Sequence, residues 1–160
     1  MKQKGFTLIE LMLVVIITGI VLAFGVPSFQ EMIRNHRLTS NTNEIVSALN
    51  FARVEAVKRG NNVRLGRRDG ASWSGGLVVY ISSDDNWDAG EELRLWDGIA
   101  GENTVTVSGS ATSFVFSGTG EVDKSANVTI DICDDRTGEE GRRITILPSG
   151  VIMNAKLNCA

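Results

Sequence analysis

Residues 1–29 read MKQKGFTLIELMLVVIITGIVLAFGVPSF, and one residue in them decides how the rest is read. Glu10 stands at the head of an apolar run, and the next charged residue is Glu31. A charged side chain at the centre of a spanning helix costs about 2.5–3.5 kcal/mol even on lenient insertion scales. Residues 11–30 hold no charge. At about 1.5 Å per residue they reach across roughly 30 Å of hydrocarbon. Lys2 and Lys4 precede the run, and the positive-inside bias keeps that end cytoplasmic. The body then faces the periplasm or the exterior. A plain signal anchor fits these facts, and so does a signal peptide cut after AFG at 23–25, where the side chains of Ala23 and Gly25 are small. Neither has a use for Glu10.

The length suits one domain with an attachment segment. Without the first 30 residues, which hold Lys2, Lys4 and Glu10, 14 basic and 18 acidic residues remain, a balance of about −4. Such a body has no overall attraction for nucleic acid or anionic lipid. Cys133 and Cys159 form no CxxC, and with His36 as the sole histidine a zinc site lacks ligands. In an exported body the two cysteines read as a disulfide; the alternative is two buried thiols.

A stripe of Leu38, Thr42, Ile45, Leu49, Ala52 and Ala56 at steps of four and three continues the helix past the apolar run. Asn41, Asn43, Glu44, Asn50 and Arg53 fall on its other faces. Lys58, Arg59 and Gly60 make a C-terminal signal, so the reading is one helix from about 6 to 58. Pro27 should kink it, since proline lacks an N–H and crowds the preceding turn. After Gly60 come short alternating runs: NVRLGR, GLVVYIS, ELRLW, TVTV, SFVFS, NVTIDIC, RRITIL and VIM. They read as antiparallel strands. The fold class is therefore α+β, a long N-terminal helix packed on an antiparallel head.

The stretch KGFTLIE at 4–10 resembles the leader junction of type IV pilins and secretion pseudopilins. The resemblance implies a pilin fold and a leader of residues 1–5. It also implies cleavage by prepilin peptidase between Gly5 and Phe6 and N-methylation of Phe6. Glu10 then falls at the family's acidic fifth mature position, where it meets the terminal amine of a neighbouring subunit during assembly. Pro27 falls at the family's proline position. The implied domains are 6–29 as transmembrane and filament-core helix and 30–160 as a periplasmic head. The head comprises a helix half of about 30–59 and a β-rich region of about 60–160.

Further along, Ala52, Arg53, Glu55 and Ala56, the WSGGLVVY run at 73–80, the acidic loop at 84–92 and the late cysteine pair are similar to GspH/FimT-type minor pilins, FimU-like proteins among them. This implies a minor pilin that helps to initiate a type IV pilus. The alternatives are an H-type pseudopilin of a type II secretion system and a DNA-binding pilin of natural transformation. Implied partners are the prepilin peptidase and methyltransferase, the major pilin, other minor pilins, an inner-membrane assembly platform and the membrane itself. No cofactor is implied.

The sequence offers two further candidate sites. Asp84, Asn86 and Asp88 put oxygen ligands at alternate positions, as calcium loops do, and some related pseudopilins bind calcium. Gly90 comes one place too late for an EF-hand, however, and Leu95 stands where the bidentate glutamate belongs, which favours a solvated hairpin loop. Arg67 and Arg68, with Arg142 and Arg143, are the dense basic spots and the candidates for phosphate contact. Asp134, Asp135, Glu139 and Glu140 lie near the second pair, so local ion pairs are favoured over nucleic acid. There is no HExxH and no glycine-rich phosphate loop after a strand, and His36 has no nucleophile near it in sequence. The chain does not read as an enzyme.

Overall fold

The computed structural model describes the chain except residues 1–4, Phe6, residues 83–86, Glu102, Thr137 and Ala160, and the side chain of Glu139. The elements are α1, Leu8–Arg59, followed by β1 (Val63–Arg67), β2 (Leu77–Tyr80), β3 (Glu92–Trp96), β4 (Thr104–Val107), β5 (Ser113–Phe116), β6 (Val128–Cys133), β7 (Gly138–Ile146) and β8 (Ile152–Cys159). Contacts divide the chain into Met1–His36 and Arg37–Ala160.

Helix α1 ends in a Schellman motif. Gly60 adopts φ +64°, a left-handed conformation that costs glycine least. Its N–H donates to Val57 O, and Asn61 N–H donates to Ala56 O, both at 3.3 Å.

The eight strands form two antiparallel sheets, ordered β3-β2-β1-β5 and β4-β6-β7-β8. Alternation places Val128, Ile130 and Ile132 of β6 inward. One hydrophobic cluster joins such residues from both sheets to the helix stripe of Leu38, Ile45, Leu49, Ala52 and Ala56. Ala52 and Ala56 are fully buried, and their small side chains let the helix come close to the sheets.

Strand β2 is buried on both faces. Leu77 and Val79 join the main cluster, while outward Val78 and Tyr80 are covered as well. The three-residue helical turn Trp73–Gly75 starts with Ser72 as N-cap. It holds Trp73 stacked on Phe114 at 5.1 Å, with the indole N–H donating to Ala111 O at 3.0 Å. Trp73 is a core residue.

The structure differs from the sequence reading in three places. Asn41 is buried rather than solvated, because its Nδ2 donates to Ala100 O at 3.0 Å and so compensates its burial. Ala48 joins the buried stripe. Strands β7 and β8 are longer than RRITIL and VIM, because they pair as one hairpin from Ile146 and Ile152 back to Gly138 and Cys159.

Candidate functional site

The first turn of α1 satisfies its own backbone. Thr7 Oγ1 accepts from Glu10 N–H at 3.3 Å, and Thr7 N–H donates to Glu10 Oε2 at 3.5 Å. This is a capping box, in which N-cap and third helical residue serve each other's exposed N–H groups. The sequence reading singled out Glu10 and passed over Thr7, although T-x-x-E is the signal for such a cap. Gly5 lies ahead of the helix and is exposed; Phe6 lies outside the described residues.

From Leu8 to Met32 the large apolar side chains of α1 stand in the open, from 76% exposed at Phe24 to 49% at Val26. A water-soluble surface does not carry such a patch. By length and composition the helix is able to cross a membrane. Thr18 fits that setting, because its hydroxyl donates to Val14 O at 2.7 Å and leaves no unmet polar group. Pro27 sits inside the helix, which continues on both sides of it.

Arg53 carries the most far-reaching contacts of the helix's second half. Its Nε donates to Gly120 O at 3.0 Å and its Nη2 to Ser149 O at 3.3 Å, so one guanidinium clasps two turns of the head. The turns also touch each other: Val122 N–H donates to Pro148 O at 2.9 Å. Glu55 instead pairs with Arg59 at 2.8 Å and Lys58 at 3.5 Å. The Arg59 hydrogen bond holds its carboxyl below the usual range.

Cys133 and Cys159 form a disulfide, with Cα atoms 5.9 Å apart. They end β6 and β8, which each pair with β7. Gly141 of β7 lies under the bond. A Cβ there would collide with Cys159 Sγ and sit 3.2 Å from Cys133 Sγ and 3.0 Å from Ile132 O. The register of β7 also shifts between Gly138 and Gly141.

The basic candidates fall on different sheets, Arg67 as the last residue of β1 with Arg68 just after it, and Arg142 and Arg143 in β7. Arg68 binds Asp97 at 2.7 Å. Arg143 holds Asp131 through two bonds of 2.7 Å, and the carboxylate raises its pKa. Arg142 Nη1 donates to Gly141 O at 3.0 Å, and Arg67 Nη1 to Ala71 O at 2.8 Å.

Of the calcium candidates, Asp84 and Asn86 lie outside the described residues. Asp88 forms a turn, its N–H donating to Glu91 Oε2 and its carbonyl accepting from Glu91 N–H, each at 3.2 Å. Glu92 is held low by its own N–H and then by that of Gly90, at 2.7 Å. Among the described residues no group of three or more His, Cys, Asp and Glu is placed to hold a metal ion. His36 is exposed on α1.

The family model described as Type II transport protein GspH matches residues 41–150. The Prokaryotic N-terminal methylation motif matches residues 1–26. A "Fimbrial protein" of Pseudomonas aeruginosa is 44% identical over 61 residues, 38% of this chain and 39% of that protein. "Prepilin peptidase-dependent protein D" of Escherichia coli (strain K12) is 53% identical over 38 residues, 24% and 26% of the two chains. The aligned part thus spans well under half the length of these relatives. Among solved structures, the type IV minor pilin FimU of Pseudomonas aeruginosa (strain PAO1) has a TM-score of 0.68 at 24% identity, covering 75% of this chain and 89% of FimU. The fold is that of a type IV pilin, and the chain belongs to the GspH family of type IV pilin-like proteins, the minor pilins and pseudopilins.

Proposed function

We propose that this chain is a minor pilin that enters a type IV pilus and helps to start its assembly. In this reading prepilin peptidase removes residues 1–5 between Gly5 and Phe6, and the new amino group of Phe6 is methylated. Residues 6–29 anchor the protein in the inner membrane and later lie in the filament core. Residues 30–160 form the periplasmic head, oriented by Lys2 and Lys4. Its partners are the major pilin, other minor pilins and the assembly platform.

The observation that carries the proposal is Glu10, a lone acid in an exposed apolar helix, five residues after the proposed cut. The capping box serves backbone N–H groups, and a neutral glutamine would serve them too. A charge there gains its value when a cation arrives to neutralise it. The amine of a neighbouring subunit's Phe6 is that cation.

Mass spectrometry of mature protein should show a chain beginning at Phe6 with one added methyl. Quantitative proteomics of sheared filaments should find it as a trace component; dominance there would overturn the minor role.

The matched family description names type II transport, so a minor pseudopilin of a secretion system is the second reading. Deleting the gene separates them: surface pili fall in the first case, secreted protein in the second. The third reading, DNA binding through Arg67, Arg68, Arg142 and Arg143, has less support, because Arg68 and Arg143 are engaged with Asp97 and Asp131. A salt-dependent gel shift of the protein with duplex DNA tests it.

A further inference from the structure

The terminal strand β8 is the long open edge of the head. It has eight residues, it pairs among the described residues with β7 alone, and its register there runs unbroken from Ile152 to Leu157. The other sheet edges are shorter. Strand β3 has five residues and β4 four. Strand β5, also of four, is partly covered, since Asp123 N–H donates to Val115 O and Phe116 bridges to Val122. Proteins blunt edges with shortness, proline or bulges, because unpaired N–H and C=O groups take up a further strand. From Ile152 to Leu157 β8 has none of these protections.

Its side chains run against the pattern of the sheet. Directly opposed residues of antiparallel strands share a face. Ile130, Ile144 and Asn154 stand in one such row, and Ile132, Arg142 and Lys156 in the next. The three isoleucines are buried, so this is the core side. Asn154 and Lys156 are nevertheless exposed, so β8 overhangs the core from Asn154 onward. The outward face takes Met153, Ala155 and Leu157. Among the described residues after α1, only Leu95, Val151 and Met153 are large apolar side chains in the open, and two of these three lie at β8.

The edge also carries unanswered charge. Lys156 lies directly opposite Arg142, and like charges so placed repel. Arg142 gives its Nη1 to Gly141 O, which is no counter-charge, and among the described residues neither cation has an ion pair. The disulfide fixes the far end of the strand at Cys159. An edge held in place beforehand lowers the ordering cost of docking.

We infer that the free edge of β8 receives one extended strand of another protein, apolar on the side of Met153 and Leu157 and acidic on the side of Lys156. Main-chain hydrogen bonds give such a strand its hold, and its alternate side chains give selectivity. The β8 of a second copy does not suit, because residues 152–159 contain no acid to answer Lys156. A nucleic acid answers the two cations but leaves Met153 and Leu157 uncovered. The inference does not depend on whether the filament is a pilus or a pseudopilus.

The test uses the full chain in detergent micelles with its disulfide intact, and follows the β8 backbone amides by nitrogen-15 NMR and hydrogen exchange. The probe is a blocked peptide of sequence Val-Glu-Val-Glu-Val-Glu. The controls are the same peptide with lysine for glutamate, the glutamate peptide N-methylated throughout, and a duplex DNA oligonucleotide. The glutamate peptide should move β8 signals saturably and slow exchange at alternate residues from Ile152 to Leu157. The lysine and N-methylated peptides should bind far more weakly. Lys156→Gln should weaken the glutamate peptide about threefold, the size of one exposed ion pair. Lys156→Glu should weaken it about tenfold and favour the lysine peptide instead. No saturable shift, an equal response to the N-methylated peptide, tighter binding of DNA, or self-association that moves the same β8 signals would overturn the proposal.

Discussion

Gly141 lies beneath the sulfur of Cys159, and the absent side chain leaves the disulfide room to close over β7. Cys133 ends β6 and Cys159 ends β8, and the strand that pairs with both lies between them. A side chain at 141 would meet both sulfurs and the Ile132 carbonyl, and a backbone carbonyl in a ladder does not move aside cheaply. The bond thus anchors the terminal strand at its far end, where β8 has only one neighbour.

Gly141→Ala should therefore act on the strap as well as on the sheet. Overpacking of this kind costs about 2 kcal/mol. Urea titration of the oxidised protein should show that loss, and alkylation should reveal a larger fraction of free thiol. The paired Cys133→Ser and Cys159→Ser variant should lose about 3 kcal/mol on chain-entropy grounds. In that background Gly141→Ala should cost less than in the parent, because the sulfurs are gone. An equal cost in both backgrounds would refute the link.

Glu10 admits a separation of its two roles. Thr7→Ala removes the hydroxyl that accepts from Glu10 N–H and should lower helix-terminus stability by about 1 kcal/mol. Glu10→Gln keeps a carbonyl oxygen for the Thr7 N–H and loses the charge. Glu10→Leu loses both and makes membrane insertion easier. Recovery in sheared filaments should fall sharply for Glu10→Gln and Glu10→Leu, while membrane levels hold. If Glu10→Gln enters filaments normally, the acid serves the cap and not a neighbour's amine.

Arg53 ties α1 to the turns at Gly120 and Ser149. Arg53→Ala should cost about 2 kcal/mol, since carbonyl bonds from a charged donor are lost together. Arg53→Lys should restore little, because an ammonium does not span two acceptors with the fixed fork of a guanidinium. Thermal unfolding of the three proteins checks this. Full rescue by lysine would show that charge alone matters.

Asp69 gives the head an acid-sensitive loop. Its Oδ1 accepts from Ala71 N–H and Ser72 N–H, each at 2.9 Å. The Ser72 bond, and then that of Ala71, hold its carboxyl below the usual value of 3.8. A folded-state pKa below the unfolded one stabilises the protein above the unfolded value, and the gain disappears as pH falls through the folded one. Asp69→Asn keeps an acceptor but no charge. Its stability should thus fall less than the parent's as pH drops below 3.8, as acid titration of unfolding free energy would reveal. Parallel acid curves for the two proteins would remove Asp69 from the account.

The sequence by itself determined the helix, the order of the strand-forming runs and the exceptional character of Glu10, though not the length of β7 and β8. These rest on local rules: a 3.6-residue stripe, period-2 alternation, a glycine stop after Arg59, and one acid in a long apolar run. It also placed Cys133 and Cys159 as a candidate pair. Only the tertiary structure decided how the strands divide into two sheets, because neighbours such as β1 and β5, or β4 and β6, lie far apart in sequence and many pairings satisfy the same alternation. The same holds for Asn41, polar in the sequence yet buried on Ala100 O, and for Arg53, whose partners lie 67 and 96 residues away. Gly141 reads in the sequence as an ordinary strand glycine, and its role becomes visible when the disulfide is laid over it. Local periodicity sets which face a side chain takes; what that face meets depends on how distant segments pack.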